Sequence, residues 1–206
     1  YPGFDNNRIN DAAYLKKCNE DLSLPLLNGA TQTQLAPGSS FKPISSIASL
    51  EEKVLDLSTV IDCTGKYEEV TPNIRCWIWP SHHGNETLVD GIKNSCNYFF
   101  ADLGHRLATD AEGNYNAELG MERIRKYASD FGLNEKSGIE LDEAEPRISD
   151  YDPERSAMGQ GNHAFNTAQL AKYITAVANG GNLYNLSIVD KIAEIKTKGY
   201  EGFLRQ

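Results

Sequence analysis

The 206-residue sequence predicts an α+β domain in which helices dominate. Three observations point there. Apolar residues recur at helical spacing in separated stretches: Ile44, Ile47, Ala48 and Leu55; Ile92, Tyr98, Phe99, Leu103 and Leu107; Met121, Ile124, Tyr127, Ala128 and Phe131; Leu170, Ile174, Val177 and Ala178. Short extended pieces, Val60 to Tyr67 and Ile74 to Trp79, flank turn residues and read as a small β excursion. The composition, 40% hydrophobic and 24% charged, suits one ordinary globular domain, and no apolar run approaches the ~20 residues that cross a bilayer. A formal net charge of -9 opposes a nucleic-acid partner or an anionic membrane surface and leaves a small polar substrate as the better fit.

Taken in order, Tyr1 to Asn10 is rich in Pro, Gly, Asn and Asp and reads as loop, and Ala12 to Cys18 as a short helix. The opening Tyr-Pro-Gly-Phe has no initiator Met, basic n-region or apolar h-region, so any signal or anchor is expected outside the sequence. Leu22 to Leu27 is interrupted by Pro25 and reads as irregular; Asn28 to Ala36 leads into Pro37-Gly-Ser-Ser-Phe-Lys-Pro43, from which a helix starts near Ser39. The two helical pieces Glu86 to Ile92 and Asn94 to Leu107 are expected to break at Gly91, and the 121–131 helix to end at Gly132. Lys136 to Leu141 reads as turn and short extended piece, and Asp142 to Arg155 as acidic loop. Two glycines in Met158-Gly-Gln-Gly161 mark a tight turn or a close backbone approach. A helix from about Thr167 stops at Asn179-Gly-Gly, and Leu183 to Ile195 reads as one strand or two short ones.

The candidate chemistry is at Ser39. A serine hydroxyl is a poor nucleophile until a base removes its proton, and Lys42 lies three residues on, one turn along the same helix face. At a helix N-terminus, free N–H groups and the dipole favour the oxyanion that forms when a serine attacks a carbonyl. A capping serine beside a solvated lysine is the alternative. Ser95 and Asn97, two apart at a helix head, reach one cavity if the backbone there is irregular, with Cys96 turned into packing. Cys96 as nucleophile with a distant His is the rival reading.

Cys18, Cys63, Cys76 and Cys96 include no Cys-x-x-Cys, so neither compartment nor a disulfide framework follows; Cys63 and Cys76 could pair or remain packed thiols. A zinc site built from them with His82 or His83 is disfavoured for want of paired spacing. The adjacent His82 and His83 point opposite ways, so at most one enters any site, and Trp77 and Trp79 are expected to pack.

The ordered set Pro-Gly-Ser39-Ser-Phe-Lys42-Pro, Ser95-Cys-Asn97 and Gly159-Gln-Gly161 ahead of a Thr-x-Gln-Leu-Ala helix resembles the transpeptidase domain of penicillin-binding proteins. Tyr1-Pro-Gly-Phe-Asp, Pro25-Leu-Leu-Asn-Gly-Ala-Thr, Asp62-Cys-Thr-Gly and Phe131-Gly-Leu-x-x-Lys-Ser-Gly-Ile are similar to its monofunctional, class B branch. The resemblance implies a single, partial transpeptidase domain over residues 1–206 with the penicillin-binding/β-lactamase-like fold, mainly its helical part with an incomplete central antiparallel sheet. It implies a D,D-transpeptidase that cross-links peptidoglycan stem peptides through a Ser39 acyl-enzyme and is acylated by β-lactams. Lys42 would take the Ser39 proton, Ser95 would relay it to the leaving amine, and Asn97 would bind the substrate amide and hold Lys42. No cofactor and no metal are implied. A membrane-anchored, extracytoplasmic parent protein working with cell-wall synthesis partners is. A β-lactam sensor or a serine β-lactamase of the same fold is the alternative, the latter disfavoured because no Glu is placed as a deacylating base.

One departure is plain: the family's third motif, Lys-Thr-Gly on a central strand, does not occur, and Lys196-Thr-Lys-Gly199 reads as a surface turn. In the family that strand supplies an oxyanion N–H and a Lys for the substrate carboxylate. Residues 1–206 alone are therefore expected to acylate slowly, and the Ser39 helix to show an uncovered apolar face.

Overall fold

The computed structural model describes residues 3–190 and the backbone of two further strands, Ile192–Thr197 and Tyr200–Arg205. Helix α1 (Ala12–Glu20) is capped by the Asp11 carboxylate, which accepts the N–H groups of Ala13 and Tyr14. A 3-10 turn over Gly38–Phe41 leads directly into α2 (Lys42–Glu51), where Pro43 occupies the first turn at no cost in hydrogen bonds. Four short strands follow: β1 (Ile61–Cys63), β2 (Lys66–Tyr67), β3 (Ile74–Arg75) and β4 (Gly84–Glu86). They form two antiparallel ladders, β1 with β4 (Cys63 opposite Gly84) and β2 with β3 (Tyr67 opposite Ile74).

Next come α3 (Leu88–Lys93), closed by a Thr87–Asp90 capping box, α4 (Asn97–Leu107), α5 (Ala117–Asp130), α6 (Pro153–Ala157) and α7 (Thr167–Ala178), closed by an Asn166–Gln169 capping box. Strands β5 (Ile192–Thr197) and β6 (Tyr200–Arg205) make an antiparallel hairpin. Of the predicted surface turn at Lys196–Gly199, Lys196 and Thr197 belong to β5, and Lys198 and Gly199 lie outside the described residues.

Two cores share α4. One packs Phe99, Phe100 and Leu103 against Ile61, Tyr67, Ile74 and Leu88 of the β excursion and α3. The other packs Phe41, Ile44 and Ala48 of the nucleophile segment against Leu107, Met121, Ile124 and Tyr173. Phe99 and Phe100 are fully buried, each contributing ~2–3 kcal/mol of transfer free energy. Gly104 lets α6 cross α4 closely, because a Cβ there would lie 2.3 Å from the Pro153 carbonyl oxygen.

Several expectations are corrected. The Ser39 helix has no uncovered apolar face: Ile44, Ser45, Ser46, Ala48 and Ser49 are buried, and the serine side chains let neighbouring elements approach, Ser45 Oγ donating to the Ala157 carbonyl at 2.8 Å. In α7 the buried residues are Ala168, Gln169, Lys172, Tyr173 and Ala176, while Ile174 and Val177 are exposed. Ile92, Trp77 and Trp79 are exposed as well. Gly91 lies inside α3 beneath the Phe99 ring, and the chain breaks at 94–96 instead. The acidic stretch runs into α6 at Pro153, and Asp152 caps that helix by accepting the Arg155 N–H. Residues 183–190 form no strand; Ile188 N–H is taken by the Glu140 carboxylate, so β structure begins only at Ile192.

Candidate active site

The turn that presents Ser39 is fixed from two sides. Gly38 adopts φ 56° and donates its N–H to the Gly159 carbonyl at 2.9 Å, and Gly159 (φ +79°) lies so close that a Cβ would sit 2.0 Å from the Gly38 carbonyl oxygen. This is the close backbone approach expected of the Met158–Gly161 segment. From the other side, Tyr173 Oη of α7 donates to the Ser40 carbonyl at 2.8 Å, and Phe41 is wholly buried against the ring of His163 at 4.4 Å. His163 accepts the Ser149 N–H at Nδ1 and has the Ser156 carbonyl 3.1 Å from Nε2; burial lowers its pKa to about 4, so it is a neutral brace. Neither Tyr173 nor His163 carries a local sequence signal, since only the fold brings them to Ser39.

Ser39 is exposed and Lys42 is buried, an arrangement suited to a nucleophile and a base. Ser95 Oγ stands between them, 2.8 Å from Ser39 Oγ and 3.0 Å from Lys42 Nζ. Lys42 Nζ also donates to the Ser95 carbonyl at 2.7 Å and to Asn97 Oδ1 at 3.0 Å, and lies 5.1 Å from the centre of the Phe100 ring. All four residues singled out in sequence thus meet, with Ser39 reaching Lys42 through Ser95. Burial lowers the Lys42 pKa to about 8, against smaller opposing contributions from Cys96, Cys76 and Glu86. At neutral pH a lysine near 8 has roughly a tenth of its population as free amine, against well under one in a thousand for an ordinary lysine.

Ser95 reaches this position because it adopts φ 51°, a left-handed conformation that places both its side chain and that of Asn97 toward Lys42. The following residue, Cys96, caps α4: its Sγ accepts the Phe99 N–H at 3.4 Å. Cys96 is buried on the side away from Ser39, as its packing reading expected, but it is not alone. Cys76 Sγ lies 3.8 Å from Cys96 Sγ, and His83 Nδ1 lies 3.5 Å from Cys76 Sγ and 3.7 Å from Cys63 Sγ. The four donor atoms lie within 4.8 Å of one another. All four cysteines are free thiols, so Cys63 and Cys76 do not pair as a disulfide. Linear spacing hid this cluster. Pairing of β1 with β4 sets Cys63 opposite Gly84 and beside His83, and the α3–α4 turn adds Cys96. His82 points to solvent, as adjacency requires. Trp77 donates its indole N–H to the Asn94 carbonyl at 2.9 Å, bracing the same turn from outside.

A 620 Å³ cavity lined by Phe4, Pro25, Leu26, Leu27, Thr33 and Thr167 and their neighbours holds no ionisable group and does not include Ser39. Ser39, Ser95 and Asn97 form an open shelf apart from it.

Comparison with known proteins identifies the family of this fold. The penicillin binding protein transpeptidase domain family matches residues 2–203. The chain is 32% identical over 170 residues to stage V sporulation protein D of Bacillus subtilis, covering 79% of this chain and 24% of that protein. It is 27% identical over 222 residues to the peptidoglycan D,D-transpeptidase MrdA of Haemophilus influenzae, covering 97% of this chain and 32% of that protein. The chain therefore spans about a quarter to a third of these relatives' length. Its fold superposes on a penicillin-binding protein (PBP2) of Helicobacter pylori, solved in complex with MreC, with TM-score 0.74 at 23% identity, covering 86% of this chain and 33% of that one. An α+β scaffold with these relatives and a family match over nearly its whole length belongs to the penicillin-binding protein transpeptidase domains.

Proposed function

We propose that this chain carries the acyl-transfer residues of a peptidoglycan D,D-transpeptidase. The observation that supports it most is the continuous path from Ser39 Oγ through Ser95 Oγ to the buried Lys42 amine, 2.8 Å and 3.0 Å. With Lys42 neutral, two of its N–H bonds remain on the Ser95 carbonyl and Asn97 Oδ1, which aims the lone pair at the Ser95 hydroxyl. Ser39 then donates to Ser95, Ser95 donates to Lys42, and the Ser39 oxygen is freed to attack.

The bond formed is between Ser39 Oγ and the carbonyl carbon of the penultimate D-Ala of a stem peptide. The bond broken is the amide to the terminal D-Ala, whose nitrogen recovers the proton from Lys42 through Ser95. An amine of a second stem peptide then attacks the Ser39 ester, its surplus proton returns along the same path, and Ser39 leaves as a hydroxyl. Asn97 binds the substrate amide while holding Lys42. The Ser39 N–H, at the start of the 3-10 turn, is one oxyanion donor. β-Lactams present the D-Ala-D-Ala shape and stop at the acyl-enzyme. The printed names of the relatives, peptidoglycan D,D-transpeptidases and a PBP2 solved with MreC, support a reaction in cell-wall synthesis alongside partner proteins; an extracytoplasmic, membrane-anchored whole protein completes this reading, and among the described residues no helix is long and apolar enough to cross a membrane.

Intact mass spectrometry of the full-length protein after exposure to benzylpenicillin is the test. A single long-lived adduct on the Ser39 peptide is expected. Rapid loss of that adduct would identify a β-lactamase, and an adduct on the peptide containing Ser95 and Cys96 would overturn the assignment.

A further inference from the structure

We propose that Glu86 and Trp77 clamp Asn94 from two sides and so hold Ser95 between Ser39 and Lys42. Neither is placed at the reacting atoms, so both are positioning residues, and the inference rests on the function proposed above.

Ser95 keeps φ 51°, a conformation that a non-glycine residue holds only where its surroundings over-determine it. The backbone angles of a residue are set by its two flanking peptide planes, and here both planes are pinned. The plane before Ser95 donates the Ser95 N–H to the Ile92 carbonyl at 3.1 Å and offers the Asn94 carbonyl to the Trp77 indole N–H at 2.9 Å. The plane after it donates the Cys96 N–H to the Gly91 carbonyl at 2.9 Å and offers the Ser95 carbonyl to Lys42 Nζ at 2.7 Å. Of these four partners, Ile92 and Gly91 belong to α3 and Lys42 to the reacting set; Trp77 alone reaches the turn from the β excursion.

Glu86 completes the clamp. It ends β4, and α3 runs between it and Asn94, a helix of six residues about 9 Å long. Asn94 Nδ2 donates to Glu86 Oε1 at 2.7 Å, so strand and turn are tied directly to one another past both ends of that helix. Asn94 is thereby held by its side chain at Glu86 and by its carbonyl at Trp77, and Ser95 follows it in the chain. Glu86 is only 2% exposed, and among the described residues its Oε2 accepts no hydrogen bond. A buried carboxylate left half-satisfied costs free energy, and a cation nearby offsets that cost. That cation is Lys42: Glu86, with Cys96 and Cys76, is one of the groups whose negative charge acts on the amine, while Ser95, Asn97 and the Phe100 ring face it uncharged. One Glu86 oxygen thus fixes the turn, and its charge bears on the base that the turn serves.

The test measures benzylpenicillin acylation of the full-length protein, with the maximal rate constant separated from penicillin affinity and followed across pH. Glu86→Ala should lower the maximal rate constant on the order of 10²-fold, as displacement of a reacting group does, with affinity within about twofold of the parent. Glu86→Gln keeps an oxygen for Asn94 and loses the charge. Its maximal rate constant should stay within about threefold of the parent, while the midpoint of its rising limb moves to lower pH. Trp77→Phe removes the indole N–H and keeps an aromatic ring, and should slow the same step about fivefold, the worth of one hydrogen bond. Parental rate constants in Glu86→Ala and Trp77→Phe would overturn the clamp, and so would equal slowing of the two Glu86 variants with an unmoved midpoint, which is what loss of packing alone would give. If Glu86→Ala does not fold, the midpoint of Glu86→Gln and the rate of Trp77→Phe decide, and parental values in both would overturn the proposal. A parent without an adduct on Ser39 would sink the proposed function and this inference with it, whereas a parent that acylates and variants that match it would overturn this inference alone.

Discussion

The two sides of the reacting shelf are built differently. Ser39 and Lys42 lie three residues apart on one turn, and short-range order nearly suffices to place them: a 3-10 turn, a helix start and a glycine contact behind. Ser95 and Asn97 are also close in sequence, yet their turn is held by groups scattered from Cys63 to Cys96, with Trp77 bracing it at Asn94. In the reaction proposed here the first side fixes which atom attacks, and the second, which depends on long-range contacts, fixes whether the proton path is continuous. Substitutions on the first side should therefore remove chemistry while sparing the fold, and those on the second should disturb both.

The largest effect expected is at Ser39. Ser39→Ala should abolish covalent penicillin labelling with little change in thermal stability, because the side chain is exposed; a residual adduct at the same peptide, seen by mass spectrometry, would move the nucleophile elsewhere. Lys42→Ala should lower the acylation rate ~10²–10⁴-fold. Unlike the serine, Lys42 is buried with three hydrogen bonds, and its loss leaves the Ser95 carbonyl and Asn97 Oδ1 short of a donor, so about 1–3 kcal/mol of stability should go as well, measurable by denaturant unfolding. Parental acylation in this variant would reduce Lys42 to a structural cation. Gly159→Ala should cost about 2 kcal/mol or more, since alanine is strained at φ +79° and its Cβ would meet the Gly38 carbonyl; slowed acylation should accompany the loss because Gly38 carries the Ser39 turn. Equal unfolding midpoints for this variant and the parent would show that the contact yields freely.

How much of this was legible follows the same division. The Ser39–Lys42 pair, the Ser95 and Asn97 convergence, and the close approach at Gly159 were readable because each depends on local spacing or on glycine's conformational range. The Cys63, Cys76, His83 and Cys96 cluster was not, because strand pairing across 20 residues sets its geometry and no short spacing betrays it. The same holds for α7, whose apolar stripe pointed to Ile174 and Val177 while Tyr173 and Lys172 are among the buried members. There, hydrogen bonds from Tyr173 Oη to Ser40 and from Lys172 Nζ to Asn185 outweigh periodicity.

The central claim is that a buried, neutral Lys42 amine receives the Ser39 proton through Ser95, and the pH dependence of acylation tests it most directly. Burial holds the Lys42 pKa at about 8, below its ordinary 10.5, with Glu86, Cys76 and Cys96 as the nearby ionisable groups. Because the folded protein binds the Lys42 proton less tightly than the unfolded chain, its burial penalty is fullest below about 8 and fades as pH rises toward the unfolded value. Only the neutral amine is competent, so the rate constant for penicillin acylation should climb about tenfold per pH unit below the Lys42 pKa and level off above it. Stopped-flow acylation of the full-length protein across that range should give this single rising limb centred near 8. A rate constant that is flat through the same range would contradict the account, because it would mean that no group titrating there accepts the Ser39 proton.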